Sequence, residues 1–384
     1  MDFGGAEKSL QTLLTLIDSD KYDIDLFLLR REGKLMELVP PTVNILESPE
    51  AVKAFSLPLI ESCRYFLSNK MPMTALNRFL FSRSVRSGVS DRQAMQISWK
   101  YQKKAFPQLT KQYDAAIAYL EGSSIYYCAD KVNAKKKIAY IHSDYKKLQM
   151  DRDFDSRYFD AFDSIVTVSG ECAQSLCEVF PEHKEKIRVI ENIISPASLK
   201  KQASADKGFV DDFDGKRILT MGRLEEPKGI DIALEACEIL SKHHNIRWYV
   251  LGEGSQRESL TRMIQEKGLS DRFILPGATI NPYPYLSECD IYVQPSRFEG
   301  KSIALEEAKS FKKPIVTTDF TTVRDQITDN VTGLIAKASA EDIAEKIEKL
   351  LTDESLADRL SDNLSDYTGN ENEISVFYDI ICLK

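Results

Sequence analysis

Residues 217–242, "RILTMGRLEEPKGIDIALEACEILSK", contain one complete strand, turn and helix. The apolar run 217–222 predicts a buried strand, and Pro227 and Gly229 mark the turn that follows it. Beyond the turn, apolar side chains recur on one face of a predicted helix, as Ile232, Ala233, Ala236, Ile239 and Leu240. A strand followed directly by an amphipathic helix is the unit from which parallel α/β sheets are built.

This unit recurs along the whole chain. In the first half, the sequence predicts strands at 23–29, 114–120, 137–142, 164–169 and 187–192. In the second half, it predicts strands at 217–222, 247–252, 272–277, 290–295, 314–318 and 333–336. We therefore expect an α/β protein with two doubly wound domains facing across a cleft, since 384 residues exceed one ordinary core. Ligands of such sheets bind beyond the carboxyl ends of the strands, so the loops there are the candidate sites.

The pattern also predicts where the domains divide. A first domain is expected over 1–195 and a second over 217–365. The stretch 196–216 is polar with few large apolar residues, which predicts a linker. Residues 366–384 are expected to form a terminal helix.

Composition excludes several classes of protein. Hydrophobic residues make up 43% and charged residues 29%, as in soluble globular proteins, and no apolar run approaches the roughly 20 residues of a membrane span. No basic stretch followed by an apolar core opens the chain, so we expect a cytoplasmic protein. The net charge of −8 argues against nucleic acid as a partner. Seven cysteines without CxxC and four histidines without HxxxH predict reduced thiols and no metal site.

One segment departs from the acidic average. Residues 70–104 carry eight Lys or Arg and one acid, Asp91, and interleave them with Leu76, Phe79, Leu80, Phe81 and Trp99. Two interpretations are open: a pair of surface helices with solvated charges, or a patch that rests on an anionic membrane face or receives a lipid-linked phosphate. The second predicts a protein peripheral on the inner face of the membrane. It also predicts that charge reversal at Arg83, Arg86 and Lys103 weakens binding to anionic vesicles.

Two loops of the second half suit phosphate binding. Arg223 and Lys228 flank the turn ahead of the helix at Ile230, and cations beside a helix N-terminus suit a diphosphate. Two ordinary surface cations are the alternative. After 247–252, Gly252 and Gly254 begin a possible dinucleotide fingerprint, but Arg257 holds its third glycine position. A tight turn near a ligand is still expected there, and a nicotinamide dehydrogenase is not.

A third loop follows strand 290–295. Glu299 stands at the carboxyl end of this strand, directly before Gly300, where a ligand-facing residue is expected. Ser302 is expected to cap a helix that runs to about Phe311.

Two carboxylates lie on that predicted helix. Glu307 falls at the edge of the apolar face, four residues from Ile303, whereas Glu306 is expected to point away. A carboxylate beside an apolar stripe needs a partner, because an unpaired buried charge is costly. Ligand hydroxyls would serve, and so would water at the rim.

The first half offers fewer candidates. His142 ends the predicted strand 137–142, a position that suits either a structural or a functional histidine. The acids of 151–155, "DRDFD", are interpreted as solvated charges near a helix N-terminus rather than as a metal site.

Four motifs together, "GGAEKSL", "GRLEEPKG", "GEGSQRESL" and "FEGKSIALEEA", resemble glycosyltransferase family 4, the retaining nucleotide-sugar glycosyltransferases. Glu299 and Glu307, with seven residues between them, match the E-x7-E motif of that family. The resemblance implies a GT-B fold of two Rossmann-like domains, with the donor bound mainly by the second and the acceptor mainly by the first. It also implies that the terminal helix, 366–384, packs back on the first domain.

The resemblance assigns roles on the donor side. Arg223 and Lys228 would hold the pyrophosphate, and Glu307 would bind the ribose. Glu299 would lie against the transferred sugar. The donor-binding set also includes Gly252 and Gly300.

Further roles belong to backbone amides and to the first domain. The amides of Ser302 and Ile303 would face the sugar or the β-phosphate. His142 would touch the sugar, and Gly4 and Gly5 would bring backbone N–H groups to the phosphate. Neither a metal nor another cofactor is expected, because cations and helix dipoles neutralise the leaving diphosphate.

The opening residues depart from the resemblance. Gly4 and Gly5 are expected to form a loop before a helix at Glu7–Ile17, yet only three residues precede them. The first strand of the domain is therefore expected to be missing. A truncated start is favoured over a gap in the sheet, because a gap leaves two rows of backbone groups unpaired.

The function expected from these motifs is transfer of a hexose-type sugar from a nucleotide-diphosphate donor, UDP-linked, to a glycan or lipid-linked acceptor in cell-surface polysaccharide synthesis. A non-catalytic GT-B-like subunit that supports a partner enzyme is the alternative. A nucleotide-sugar epimerase is less favoured. Lys301, Ser302 and Ala304 replace the aromatic or leucine, the glycine and the proline common within the motif, which leaves the donor open.

Overall fold

The computed structural model describes the chain in four ranges, 5–29, 33–55, 57–85 and 91–382. Its contacts divide the chain into two units. The first contains Ala6–Glu191 and the segment from Asn372 onward, and the second contains Asn192–Glu371. Each unit is an α/β structure with parallel strands.

The described residues of the first unit form six strands: β1 Ile24–Phe27, β2 Val43–Leu46, β3 Gln112–Ala118, β4 Asn133–Ile141, β5 Ser164–Thr167 and β6 Ile187–Val189. The five strands predicted for this half are confirmed. Strand β2 was not predicted, because its four residues include the polar Asn44 and are too few to show a period.

These strands form two separate sheets. β1 pairs with β2, and β3 to β6 pair in sequence order. No strand in the described ranges pairs with the remaining edges of β1 and β3. Side chains connect the two edges instead, since Asp25 of β1 accepts hydrogen bonds from Tyr113 Oη at 2.9 Å and Lys111 Nζ at 2.8 Å.

Within the described ranges, eight helices precede or connect these strands: α1 Gly5–Leu16, α2 Glu50–Phe55, α3 Leu59–Ser68, α4 Pro72–Val85, α5 Asp91–Gln102, α6 Ser123–Lys131, α7 Arg152–Phe159 and α8 Gly170–Val179. Short 3-10 turns lie at Lys34–Leu38, Tyr145–Lys147 and Pro181–Lys186. Gly5 is the first residue of α1, so the prediction of a loop at Gly5 is wrong. Gly4 lies outside the described residues.

The acidic stretch at α7 is only partly solvated. Asp151 caps α7, since its side chain accepts a hydrogen bond from Phe154 N–H at 3.1 Å. Asp155 is buried and accepts hydrogen bonds from Tyr126 Oη and Tyr145 Oη, both at 2.5 Å. Burial raises the pKa of Asp155, although these bonds oppose the shift. The prediction of solvated acids is therefore wrong for Asp155, which ties α7 to the core.

The second unit contains one six-stranded sheet. Its strands are β7 Lys216–Met221, β8 Ile246–Leu251, β9 Phe273–Gly277, β10 Ile291–Gln294, β11 Ile315–Thr318 and β12 Leu334–Ala336. All six predicted strands are confirmed. Their spatial order is β12-β11-β10-β7-β8-β9, with every pair parallel. The chain therefore winds outward from β7 to β9 and then returns to the other side of β7, which makes the β7–β10 boundary the switch point of the sheet.

Seven helices belong to this unit: α9 Pro196–Ala203, α10 Ile230–Leu240, α11 Arg257–Glu266, α12 Tyr283–Glu288, α13 Ile303–Ser310, α14 Ala340–Thr352 and α15 Glu354–Asp362. Short 3-10 turns lie at Glu226–Lys228 and Val323–Asp325. The stretch predicted as a linker contains α9, a helix that was not predicted. Ser195 caps α9, and Leu199 packs against Tyr283 of α12. Helix α9 contains one large apolar residue, Leu199, which is too weak a signal for the helix to be recognised from sequence.

The last described helix, α16 Glu373–Ile381, belongs to the first unit. Tyr378 Oη accepts a hydrogen bond from Asp18 N–H at 2.9 Å, and its ring stacks on Tyr22 with centroids 5.3 Å apart. Glu373 accepts a hydrogen bond from Glu191 N–H at 3.1 Å. None of the helices in the described ranges has the length and apolar character needed to cross a bilayer.

Acid sensitivity is expected from one carboxylate of the second unit. Partial burial alone would raise the pKa of Asp211, but hydrogen bonds from Tyr249 and Arg217 outweigh it and lower the pKa to about 2. The ionised Asp211 carboxylate therefore stabilises the folded state. This stabilisation is complete above the ordinary pKa of 3.8 and is lost as the pH falls from there toward about 2. Asp211→Asn should therefore lower the free energy of unfolding at neutral pH by about 1 kcal/mol, a figure reduced for solvent screening.

Urea denaturation as a function of pH measures this effect. The Asn variant should lose less of its remaining stability on acidification than the wild type does. Asp271→Asn, at an exposed carboxylate of the same unit, is the control and should follow the wild type. Parallel wild-type and Asp211→Asn curves would contradict the assignment.

Candidate functional site

Two loops meet at the switch point of the second unit. Lys228 follows β7 and Glu299 follows β10, and these strands are neighbours in the sheet. The Lys228 ammonium lies 2.6 Å from Glu299 Oε1 and 2.8 Å from Glu299 Oε2. Both side chains are largely buried, with 21% and 10% of their surface exposed. The order of the strands along the chain does not predict that Lys228 and Glu299 meet, because β10 could lie elsewhere in the sheet.

A glycine allows this approach of the two loops. The 3-10 turn before Gly229 ends with that residue at φ 64°, in the left-handed region. A Cβ at Gly229 would lie 2.0 Å from the carbonyl oxygen of Pro295, at the end of β10. Only glycine therefore lets the loop after β7 rest on the end of β10. Arg297 adds a second tie, with its guanidinium 2.7 and 2.6 Å from the Asp231 carboxylate.

Glu299 is held by donors from its own loop and strand. Its Oε1 accepts hydrogen bonds from Gln294 Nε2 at 3.0 Å and Ser296 Oγ at 2.8 Å, in addition to Lys228. Among the described residues, Oε2 receives only the Lys228 ammonium. A carboxylate offers about four acceptor positions, so Oε2 can take a further donor. The arrangement fixes the carboxylate and leaves one oxygen able to accept a ligand hydroxyl.

Other predicted donor residues lie in these two loops or in the loop after β8, and they make other contacts. Arg223 is 54% exposed, and its Nη1 lies 3.1 Å from Glu225 Oε1. Gly300 directly follows Glu299 in the loop. A Cβ at Gly252, after β8, would lie 1.8 Å from the carbonyl oxygen of Gly222. Packing of neighbouring strand ends thus accounts for glycine at Gly252.

The start of α13 is built around a capping serine. Ser302 caps α13, as predicted, by accepting a hydrogen bond from Leu305 N–H at 3.4 Å. The Ser302 amide, which was expected to face a phosphate or sugar, donates instead to Gln326 Oε1 at 2.9 Å. Ile303 is the first residue of α13 and packs against Tyr283.

Both carboxylates of α13 are buried. Glu307 is 2% exposed and accepts a hydrogen bond from Tyr283 Oη at 2.9 Å. Glu306 was expected to point away, but it accepts hydrogen bonds from Tyr367 Oη at 2.6 Å and Gln326 Nε2 at 2.8 Å. Burial alone would raise the pKa of Glu306, but the nearby Lys309 ammonium and these hydrogen bonds outweigh it and lower the pKa. Glu306 therefore anchors the helix, and Glu307 is fixed by Tyr283.

Gln326 was not predicted from sequence to belong to this site. Its amide donates to Ser302 O at 2.8 Å and to Glu306, and its carbonyl oxygen accepts from Ser302 N–H. It thereby clamps the first turn of α13 from the loop after β11. A lone glutamine beyond a strand carries no motif, and only its contacts identify it.

Gln326→Ala should loosen the start of α13 and misplace Glu307. We expect a loss of nucleotide affinity of about tenfold, because a buried hydrogen bond to a charged group contributes roughly 1.5–3 kcal/mol. Isothermal titration with UDP measures it. Gln265→Ala, at an exposed glutamine of α11, is the control. Equal affinities for wild type and Gln326→Ala would rule out this positioning role.

His142 lies in the first unit, directly after β4. Its backbone N–H donates to Glu121 Oε2 at 3.2 Å, and its ring lies against Tyr119 and Tyr140, with centroids 5.0 and 5.7 Å away. Burial lowers the pKa of His142, so the imidazole is neutral at neutral pH. Its buried Nε2 has no hydrogen-bond partner among the described residues. A neutral imidazole with an available ring nitrogen can meet one polar ligand group. Within the described ranges, no cluster of three His, Cys, Asp or Glu side chains forms a metal site.

A known family matches the unit that holds the Lys228–Glu299 pair. Residues 204–366, less than half of the chain, match the family model described as "Glycosyl transferases group 1". Eight of the predicted donor residues lie within this range: Arg223, Lys228, Gly252, Glu299, Gly300, Ser302, Ile303 and Glu307.

Two relatives each match less than half of the chain. A poly(ribitol-phosphate) alpha-N-acetylglucosaminyltransferase of Staphylococcus aureus is 31% identical over 148 residues, covering 38% of this chain and 29% of the relative. An N-acetylgalactosamine-N,N'-diacetylbacillosaminyl-diphospho-undecaprenol 4-alpha-N-acetylgalactosaminyltransferase of Campylobacter jejuni is 28% identical over 176 residues, covering 46% and 47%. The chain spans less than half the length of either relative.

Solved structures are similar over more of the chain. Anabaena HepE in complex with UDP and glucose has a TM-score of 0.67 at 14% identity, covering 98% of this chain and 95% of HepE. A variant of S. aureus TarM in complex with fondaparinux, alpha-GlcNAc-glycerol and UDP has a TM-score of 0.57 at 20% identity, covering 70% and 55%. These likenesses confirm the predicted α/β class and GT-B fold.

Proposed function

We propose that this protein is a retaining glycosyltransferase that moves a hexose-type sugar from a UDP-linked donor to a glycan or lipid-linked acceptor in cell-surface polysaccharide synthesis. The observation that carries the proposal is the Lys228–Glu299 pair at the switch point of the unit that matches the glycosyltransferase family model. UDP in the similar structures supports the donor. The polyol-phosphate and diphospho-undecaprenol acceptors in the relatives' names support the acceptor class.

Cations would bind the donor diphosphate. A lysine ammonium has three N–H donors, and two oxygens of Glu299 occupy its present contacts. Lys228 can therefore turn one donor toward a phosphate while it keeps its bond to Glu299. Arg223, half exposed beside it, can exchange Glu225 for a second phosphate oxygen. The N-terminus of α10, directly after Gly229, adds partial positive charge.

Carboxylates would orient the two sugars of the donor. Glu299 Oε2 would accept a hydroxyl of the transferred sugar, since Oε1 already receives three donors. Glu307 would accept a ribose hydroxyl, with its rotamer fixed by Tyr283. His142, neutral at the end of its strand, would supply one hydrogen bond to the sugar.

Retention would follow from attack on the face that the diphosphate leaves. The acceptor hydroxyl forms the new bond to the anomeric carbon as the bond to the phosphate oxygen breaks. Its proton passes to the departing phosphate, which serves as the base. Glu299 is a weak nucleophile, because donors from three residues on Oε1 stabilise the negative charge of its carboxylate. The double displacement of retaining glycosidases is therefore not needed here.

The test is release of the nucleotide diphosphate from a panel of UDP- and GDP-sugars, without acceptor. One UDP-sugar should be hydrolysed slowly by the wild type, and Glu299→Gln should abolish that release. Glu238→Gln is the matched control, because Glu238 also pairs with a lysine of this unit, Lys267, at 2.6 Å. NMR of the sugar product should show an unchanged anomeric configuration.

The rival function gives the opposite result in this assay. A non-catalytic subunit that supports a partner enzyme would release no nucleotide from any donor. Such a result, together with no thermal shift from UDP or GDP, would replace the proposal by the binding-subunit hypothesis.

A further inference from the structure

Helices α3 and α4 form a hairpin that is anchored by one face only. Phe66 of α3 and Ala75 of α4 pack with Phe55 in a small core of the first unit. Arg78 points into the same region, where it donates hydrogen bonds to the carbonyl oxygens of Phe55 and Leu57 at 3.0 Å each. The inner face of the hairpin therefore accounts for its folding.

The outer face of the hairpin is apolar and exposed. It consists of Ile60 and Leu67 of α3 and Met73, Leu76, Phe79 and Leu80 of α4. Ile60 is 75% exposed and Phe79 is 50% exposed. Seven of the twelve exposed large hydrophobic residues in the described ranges fall between Leu57 and Leu80, so they are clustered rather than scattered. A contiguous patch of this kind marks an interaction surface.

A shallow groove joins the two helices on this outer face. Ile60 and Leu67 of α3 and Phe79 of α4 line it together with Arg64, and its volume is about 580 Å³. The apolar side chains of α3 and α4 thus form one surface instead of two separate stripes.

The residues of this surface differ in part from the basic segment 70–104 that the sequence singled out. Trp99 is fully buried and Phe81 is partly buried, so neither belongs to a surface patch. Lys103 lies 3.7 Å from Asp130, and Arg86 lies outside the described residues. The exposed apolar residues of that segment lie on α4, and α3, which the sequence did not single out, completes the surface.

The charges around the outer face are mainly positive. Arg64, Lys70 and Arg83 are exposed, and Glu61 is the one acid between Leu57 and Arg83. This local excess stands against a net charge of −8 for the chain. A second copy paired through the same face would bring these cations together, because a two-fold interface places each patch against itself. Apolar side chains among exposed cations fit the headgroup region of an anionic bilayer instead.

We propose that the outer face of α3 and α4 docks on the surface of an anionic lipid bilayer. Ile60, Leu67 and Phe79 enter the boundary between headgroups and acyl chains, and Arg64, Lys70 and Arg83 meet anionic headgroups. Docking through this face does not depend on the proposed transfer activity, because it needs neither donor nor acceptor.

Vesicle flotation with the full chain tests this inference. Phosphatidylcholine vesicles that contain about 30% phosphatidylglycerol should bind the wild type, and pure phosphatidylcholine vesicles should bind it at least about tenfold more weakly. The combined change Ile60→Ser, Leu67→Ser and Phe79→Ser should reduce binding to the anionic vesicles by more than about tenfold. The matched control is Val189→Ser, Val210→Ser and Val331→Ser, at exposed positions elsewhere, which should bind as the wild type does.

A second pair of variants tests the charges. Arg64→Glu, Lys70→Glu and Arg83→Glu together should also lose binding. Their control, Lys184→Glu, Lys200→Glu and Lys207→Glu, makes the same change in net charge at exposed positions away from the hairpin and should bind. Circular dichroism confirms that each variant is folded.

Three results would overturn the inference. The first is equal binding of the wild type to anionic and neutral vesicles. The second is equal loss of binding by an outer-face set and its control. The third is a wild-type dimer in light scattering that the serine variant converts to a monomer, since a second copy would then cover the face. If the wild type bound anionic vesicles but showed no transfer activity, that result would count against the proposed function and not against docking.

Discussion

Lys228→Met is expected to lower donor turnover by about a thousandfold, measured as kcat/KM for release of the nucleotide diphosphate, because a preorganised group that stabilises developing charge contributes roughly 10²–10³ in rate. The change removes the cation that is proposed to balance the leaving diphosphate. It also leaves the Glu299 carboxylate without its ionic partner at a site where only 10% of its surface is exposed. Breaking a buried ion pair from one side costs about 3–5 kcal/mol of stability, so the variant should also melt earlier.

A double variant separates the two effects. Lys228→Met combined with Glu299→Gln removes the unpaired charge, so the thermal stability should return toward the wild type while turnover stays low. Lys267→Met is the control, because Lys267 pairs with Glu238 at the same 2.6 Å distance but away from the switch point. If the double variant recovered turnover with stability, Lys228 would be only structural and the proposed site would be wrong.

The second large effect is expected at Gly252. Its Cβ in Gly252→Ala would lie 1.8 Å from the carbonyl oxygen of Gly222. Neither backbone can move easily, because Gly222 N–H donates to Leu251 O and Gly252 N–H donates to Gly277 O, both at 3.1 Å. Overpacking of this kind costs about 3 kcal/mol. For a unit of this size, we expect a fall in Tm of roughly 6–12 °C.

Gly170→Ala is the matched control for this prediction. A Cβ at Gly170 would have no atom within 4 Å, and the residue begins α8, where alanine is favourable. Its Tm should equal or slightly exceed that of the wild type. The close approach would be irrelevant to stability if the Gly252→Ala protein melted at the wild-type temperature.

Much of the fold could be predicted because its signals are local. Each of the eleven predicted strands exists, since each is an apolar run between turn residues and the alternation with helices specifies parallel pairing. The features that were missed have weak local signals. Strand β2 is four residues long, and α9 has one large apolar side chain. Both depend on neighbours that lie far away in the sequence.

In the candidate site, too, features with local signals could be predicted and features that depend on distant residues could not. The position of Glu299 and the cap at Ser302 could be predicted, because strand ends and helix starts have recognisable residues. The role of Gln326 could not, because it acts from another loop through hydrogen bonds to the backbone of Ser302 and to Glu306. The burial of Glu306 depends in the same way on Tyr367, which is sixty-one residues away.

By itself, the sequence determined eleven of the strands, the main helices and which loops carry cations and carboxylates. These are local properties, set by side-chain period, turn chemistry and capping. The order of strands in the second sheet was decided by tertiary structure, because β10 returns beside β7 and brings Lys228 within 2.6 Å of Glu299. The exposed side of α3 and α4 was decided in the same way, since packing of their inner faces leaves the apolar outer face uncovered. Which side chains meet depends on how distant segments share buried surface, and no single stretch of the chain encodes that.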